Sequence, residues 1–300
     1  MDPSTSEEDE QRSLLGDTSP NPRKRASTGN RADTGVEDVA LAFENNTFAE
    51  AAVQLVDAAR ASGSEVPPPT RAKWWKRWCC WDRTPDLPSR LESARHHVRT
   101  VAQIKMAPTG DAEGAKERAL HEAYLLAVYQ GLTLERAPSD NFEGEHWMAI
   151  GFQGSRPDRD LRGAGMLAVL QLLYLVNEHG GFAREMLKLS QVEAQNFPFA
   201  TVSINMTALA LSGIRSRRSH RLIIRQCADE GDKPNDHSES KERMQVLRLL
   251  NALYFGLMTE LMLDWVDKGR NITDFQEVSE GLERRLLSNP AQFLPPSQAP

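Results

Sequence analysis

The sequence predicts an all-α protein, on three observations. From Pro88 onward apolar residues recur three and four places apart. Helix start and stop residues (Ser, Thr, Asp, Pro, Gly, Asn) fall between the periodic segments. Nowhere does an alternating strand pattern of useful length appear.

Each element follows in order. Residues 1–70 are expected to be a disordered tail, rich in Ser, Thr, Pro, Gly and charge, with one short amphipathic helix at 47–61 that "GSEVPPPT" breaks. Residues 71–87 form a linker of unusual composition. The helical domain is expected over 88–294, with a short tail at 295–300. Leu91, Ala94, Val98, Val101 and Ile104 make one stripe after the start at Pro88 and Ser89. "KERALHEAYLLAVYQGL" is a second helix with Gly131 as its stop. Met166 to Val176 is apolar on all sides, which predicts the buried central helix. "FAREMLKLSQVEAQ" follows, then "PFATVSINMTALALSGI", opened by Pro198. Residues 229–238 read as a loop. A long helix from Glu239 to Asp267 carries Leu247, Leu250, Tyr254, Leu257, Leu261 and Trp265 on one face. The last helix has Thr273 or Asp274 as cap and Asn289-Pro290 as stop.

Composition excludes several functions. Thirty-six basic against 42 acidic residues leave a formal charge of −6, against the basic surplus of a general nucleic-acid binder. Three cysteines, two adjacent, cannot build a disulfide framework, which points to a reducing compartment. The seven histidines show no zinc spacing with cysteine, so no metal is expected. The N-terminus lacks an apolar signal region, Asp2 precludes N-myristoylation, and "SQAP" is no prenylation box. "MLAVLQLLYLV" is too short to span a bilayer, and Glu260 and Asp264 interrupt "LLNALYFGLMTELMLDWV". A cytoplasmic protein with at most peripheral membrane contact is expected.

Two short patterns lie in the tail: Glu10 with Leu14 and Leu15, of the kind sorting adaptors read, and Ser27 after three basic residues. The linker holds "RAKWWKRWCCW". On a helix Trp74, Trp78 and Trp81 share a face with Trp75 beside them, while Lys73, Lys76 and Arg77 point elsewhere. Indole rings and cations suit a membrane surface, and the adjacent Cys79 and Cys80 are candidates for S-acylation. The other reading makes these tryptophans a cap on the helical core. Further on, Arg215, Arg217, Arg218, Arg221 and Arg225 cluster before the acidic loop, a solvated face or a surface for an anionic partner.

The most informative stretch is "HWMAIGFQGSRPDRDLRGAGMLAVLQLLYLV", residues 146–176. Gly163, Gly165 and Ala168 satisfy the letter of the dinucleotide fingerprint G-x-G-x-x-[GA]. That fingerprint needs a strand before its first glycine, which "SRPDRDLR" cannot provide, so no nucleotide cofactor is expected. Small residues at 163–165 are instead expected to let the central helix start close against a neighbour, with Asp158 or Asp160 as its cap. Arg162 opposes the helix dipole there, at a cost of about 0.3–1 kcal/mol. Two compensating contacts are open: an ion pair with Asp158 or Asp160, or an anion brought by a partner. An arginine on a rigid helix start is suited to neutralising a phosphoryl group in another protein's active site.

These residues resemble the signature of the ELMO (engulfment and cell motility) domain at Trp147, Ile150, Gly151, Phe152, Gln153, Gly154, Pro157, Asp160, Arg162, Gly163 and Gly165. A second block, Pro198, Phe199, Ser203, Ile204, Asn205 and Thr207, is similar to the family's Pro-Phe pair followed by S-I-N-x-T. The resemblance covers about Pro88 to Leu294 and is greatest to the small ELMO-domain-containing members. It implies an all-helical fold and activation of GTP hydrolysis by an Arf-family GTPase. Arg162 matches the arginine taken as catalytic, supplied in trans, and the chain is expected to catalyse no reaction of its own. Gln153, Arg156, Arg159 and Asp160 are the candidate partner contacts. The alternative is a non-catalytic scaffold binding a small GTPase or an exchange factor. Arg156, Arg159 and Leu161 depart from the family's Asp, Thr and Phe, which implies either stronger anion binding or altered activity. Trp147, Ile150 and Phe152 are read as core.

Overall fold

The computed structural model describes residues 48–63, 87, 89–107, 112–137, 142–228 and 239–295. All of them fall in the compact unit Thr34–Pro300. Among the described residues there are ten α-helices and no strand. In chain order they are α1 (Phe48–Ala61), α2 (Ser89–Gln103), α3 (Ala112–Thr133), α4 (His146–Ala149) and α5 (Gly165–Glu178). After these come α6 (Gly180–Ser190), α7 (Phe199–Arg215), α8 (Ser219–Ala228), α9 (Glu239–Lys268) and α10 (Phe275–Ser288). The loop expected at 229–238 lies outside the described residues.

Helix α5 is the hub, packed against α1, α2, α3, α6, α7 and α9. Its composition explains the position: Met166 to Leu173 are all buried, and a helix apolar on every side has no face to give to water. Gln171, the one polar side chain in that run, is fully buried; its Nε2 donates to Asn251 Oδ1 of α9, while its Oε1 has no hydrogen-bond partner among the described residues. Helix α9 buries all six residues expected on its inner face, and Val246, Leu249, Leu253 and Met258 besides. Trp265 closes its far end, its Nε1 donating to Gln195 O at 2.9 Å while Gln195 Nε2 donates back to Trp265 O at 2.9 Å.

Three expectations need correction. The short helix expected in the tail, α1, packs on α3 and α5, burying Ala51, Ala52, Leu55, Val56 and Ala59 on one stripe. Gly131 is no stop, because α3 runs through it to Thr133 and Leu134 takes the left-handed turn at φ 61°. The missing side chain at Gly131 makes room for α5: a Cβ there would stand 1.9 Å from Val176 Cγ1. Asp274 holds the cap position of α10 as expected, but its side chain makes no capping bond there and instead closes a box with Asn271 over the 3-10 turn Ile272–Asp274.

By length and composition alone Glu193–Arg215 and Glu242–Lys268 would cross a bilayer, contrary to expectation. In each, 61% of the apolar window is buried inside the fold, as for core helices.

Candidate functional site

The signature turn is built before the site it carries. Trp147 is fully buried, its ring edge-on to Phe152 and Tyr129, its Nε1 donating to Phe142 O at 2.6 Å. Ile150, Phe152 and Leu161 are buried with it, as core residues. Gly151 follows at φ 92°, a backbone conformation that side chains disfavour. A Cβ at Gly151 would lie 2.2 Å from Phe199 N. Its absence lets the first turn of α7 dock on this loop. Ala200 N donates to Ile150 O and Thr201 N to Gly151 O, each at 3.1 Å, and Thr201 Oγ1 adds a bond to Gly151 O at 3.0 Å. Two of the amide donors that every helix start leaves open are thereby satisfied.

The start of α5 is fixed by another close approach. Gly165 has φ 53°, and a Cβ there would lie 2.5 Å from Ile104 O and 2.6 Å from Ala102 O. The approach lets Met166 N donate to Ile104 O at 2.9 Å. The C-terminal carbonyls of α2 thus serve the N-terminus of α5, ends of opposite partial charge. The expected Asp158 or Asp160 cap is absent, since no side chain caps α5. Gly163 also departs from expectation: it is exposed, and a Cβ there would meet nothing within 4 Å.

Between the signature loop and α7 lies a cleft of about 530 Å³. Every signature residue proposed for partner contact lines it: Gln153, Arg156, Arg159, Asp160 and Arg162. The second block supplies the opposite wall through Ile204 and Asn205, joined by Thr201 and Ala208. The same block divides by burial. Ser203 is buried, bonded to the Tyr254 hydroxyl at 2.5 Å, and Thr207 is buried; Asn205 is exposed, with Nδ2 donating to Thr201 O at 2.9 Å. Burial pushes the Tyr254 hydroxyl pKa up, so it stays protonated. Thr201, Asn205 and Ala208 had not been singled out as site residues, although their i, i+4, i+7 spacing on α7 marks one face.

The charges of the cleft are arranged unequally. Asp158 accepts from Arg156 Nε at 3.3 Å and Nη2 at 3.1 Å, and Glu143 lies 3.4 Å from Arg156 on its other side. The hydrogen bond and charge of Asp158, then Glu143, raise the Arg156 pKa further. Asp160 Oδ2 accepts from Gln153 N at 2.7 Å, an intraloop bond that holds the turn. Neither aspartate pairs with Arg162, the contact that spacing alone had left open. Arg162 is exposed, its Nε donating to Arg159 O at 3.0 Å. Among the described residues, neither Arg159 nor Arg162 has a carboxylate within ion-pair distance.

Other candidates fall elsewhere. Cys79, Cys80 and Trp74 to Trp81 lie outside the described residues, as do Glu10, Leu14, Leu15 and Ser27. Arg215 at the end of α7, Arg217 and Arg218 in the turn that follows, and Arg221 and Arg225 on α8 are all exposed. Among the described residues no group of three His, Cys, Asp or Glu is placed to hold a metal ion.

The fold and the site define an all-helical domain with an arginine-lined surface cleft whose facing walls are formed by the two sequence blocks. The chain belongs to the ELMO/CED-12 family, whose sequence pattern matches residues 110–279. It is 31% identical over 212 residues to ELMO domain-containing protein 3 of Bos taurus, covering 70% of this chain and 49% of that protein. Against the Mus musculus protein of the same name it is 30% identical over 217 residues, 72% and 50% of the two chains. ELMO domain-containing protein B of Dictyostelium discoideum is 39% identical over 170 residues, 56% of this chain and 53% of that one. The chain thus spans about half the length of these curated relatives. No solved structure matches it.

Proposed function

We propose that this chain stimulates GTP hydrolysis by an Arf-family small GTPase, placing Arg162 in the partner's active site. The observation that carries the reading is the exposed Arg162 side chain at a cleft, free of Asp158 and Asp160. Its Nε bond to Arg159 O orients the guanidinium and leaves both terminal nitrogens free. A planar fork held this way meets two phosphoryl oxygens at once as charge develops in the transition state. The chain needs no substrate pocket or cofactor for that role, since the partner holds the nucleotide. The test is stimulated hydrolysis across a panel of Arf-family GTPases, with wild type against Arg162→Lys. Lysine keeps the charge and loses the fork, so stimulation should fall by a factor on the order of 10³ or more. Equal stimulation by the lysine variant overturns the finger role. Binding of a GTPase without stimulation by the wild type would make the chain a scaffold instead.

We further propose that residues 71–81 hold the chain at an intracellular membrane, through interfacial tryptophans and acylation of Cys79 and Cys80. Active GTPases of this kind act on membranes, and confinement there raises effective concentration without any new contact.

A further inference from the structure

The four glycines of the signature loop divide into two pairs. Gly151 and Gly165 are required by the fold: both have positive φ, and a Cβ at either would strike backbone. Gly154 and Gly163 are not. Neither has positive φ, and an added Cβ would meet nothing within 4 Å at either one. Alanine would fit both sites and would lower the conformational entropy lost on folding. Among the described residues nothing therefore calls for glycine at these two places. Both line the cleft that holds Arg159, Arg162 and Asn205.

We propose that Gly154 and Gly163 keep the cleft wall bare so that the partner's main chain and its nucleotide phosphate can approach at backbone distance. The inference rests on the GTPase reading above and names the surface through which the partner gains access to Arg162. The geometry gives the reason. Gly163 directly follows Arg162, whose guanidinium is held by Nε on Arg159 O, three residues back along its own chain. An arginine held close to its own backbone reaches a buried phosphate only if that backbone comes near the partner. A β-branched side chain beside it would hold the two surfaces apart by its own thickness. Arg156 takes no part, because Asp158 and Glu143 already engage it. The anion is met by Arg159 and Arg162.

The experiment compares full-length Gly163→Ala, Gly163→Val and Gly154→Val with wild type, in thermal melting and in stimulated hydrolysis by the responsive GTPase. Gly281→Val is the control, equally open to a Cβ but outside the cleft. The cleft variants should melt with or slightly above the wild type. The chain concentration for half-maximal stimulation should rise with side-chain size, by about tenfold or more for Gly163→Val, the effect of forcing a methyl-sized group into a packed contact. Gly281→Val should stimulate as wild type does. Wild-type stimulation by both Gly163→Val and Gly154→Val overturns the inference, and so does a lowered melting temperature in Gly163→Val. In either case an inactive Arg162→Lys leaves the GTPase reading standing. A wild type that stimulates no member of the panel overturns both.

Discussion

Replacing Gly165 with valine tests how the central helix is seated. Gly165 adopts φ 53°, and left-handed backbone costs a non-glycine residue about 1–2 kcal/mol. Its Cβ would stand 2.5 Å from Ile104 O and 2.6 Å from Ala102 O, both backbone atoms that cannot swing aside. Overpacking of this kind costs about 1–3 kcal/mol. The shift that relieves it weakens the 2.9 Å bond from Met166 N to Ile104 O, worth about 0.5–1.5 kcal/mol. Against these, valine reduces unfolded-state freedom by about 0.4–1 kcal/mol. The balance is a loss of about 2–6 kcal/mol, a large part of a typical domain's stability of about 5–15 kcal/mol. In a chain of this size the melting temperature should fall by roughly 10 °C, as followed by far-ultraviolet circular dichroism or calorimetry. Gly163→Val, two residues away, should not lower it. Should Gly165→Val melt with the wild type, α5 is not seated through backbone contact with the end of α2.

Three other outcomes are expected. Gly131→Ala should destabilise the protein although alanine favours helix by about 1 kcal/mol, because its Cβ meets Val176; adding Val176→Ala should restore stability, and a double-mutant cycle in urea measures the coupling. Burial, then Arg118, lowers the His121 pKa to about 4 from 6.5, so the unfolded chain binds the extra proton. Stability is full above about pH 6.5 and falls by about 2 kcal/mol between pH 7 and pH 5; urea unfolding of His121→Asn should show a flatter pH dependence than wild type. Replacing Cys79 and Cys80 with serine should move the chain from a membrane to a soluble fraction on cell fractionation; a wholly soluble wild type without hydroxylamine-sensitive label refutes the anchor.

What the sequence made legible follows from how far each property reaches along the chain. The burial of α5 could be read because it depends only on composition, every face of 166–173 being apolar save Gln171. The stripes of α2 and α9 were legible for the same reason, a period of 3.6 being local. The glycines were not. A glycine records that a side chain is missing, and leaves open whether the space is taken by the same chain or by another molecule. At Gly131 the neighbour is Val176, at Gly151 it is Phe199, and at Gly165 it is Ile104, all brought there by folding. At Gly163 there is none, although its immediate sequence is as small and crowded as that of Gly165. Arg162 shows the same limit with charge. Asp158 and Asp160 are both close enough in sequence to pair with it, and spacing cannot choose. The backbone chooses: the 3-10 turn at Pro157–Arg159 leaves Asp158 on Arg156, and Asp160 turns back to the Gln153 amide. Both carboxylates are spent on shaping the loop. Among the described residues the cation that opposes the α5 dipole is therefore left without a counterion, a cost the fold carries and an incoming anion would relieve.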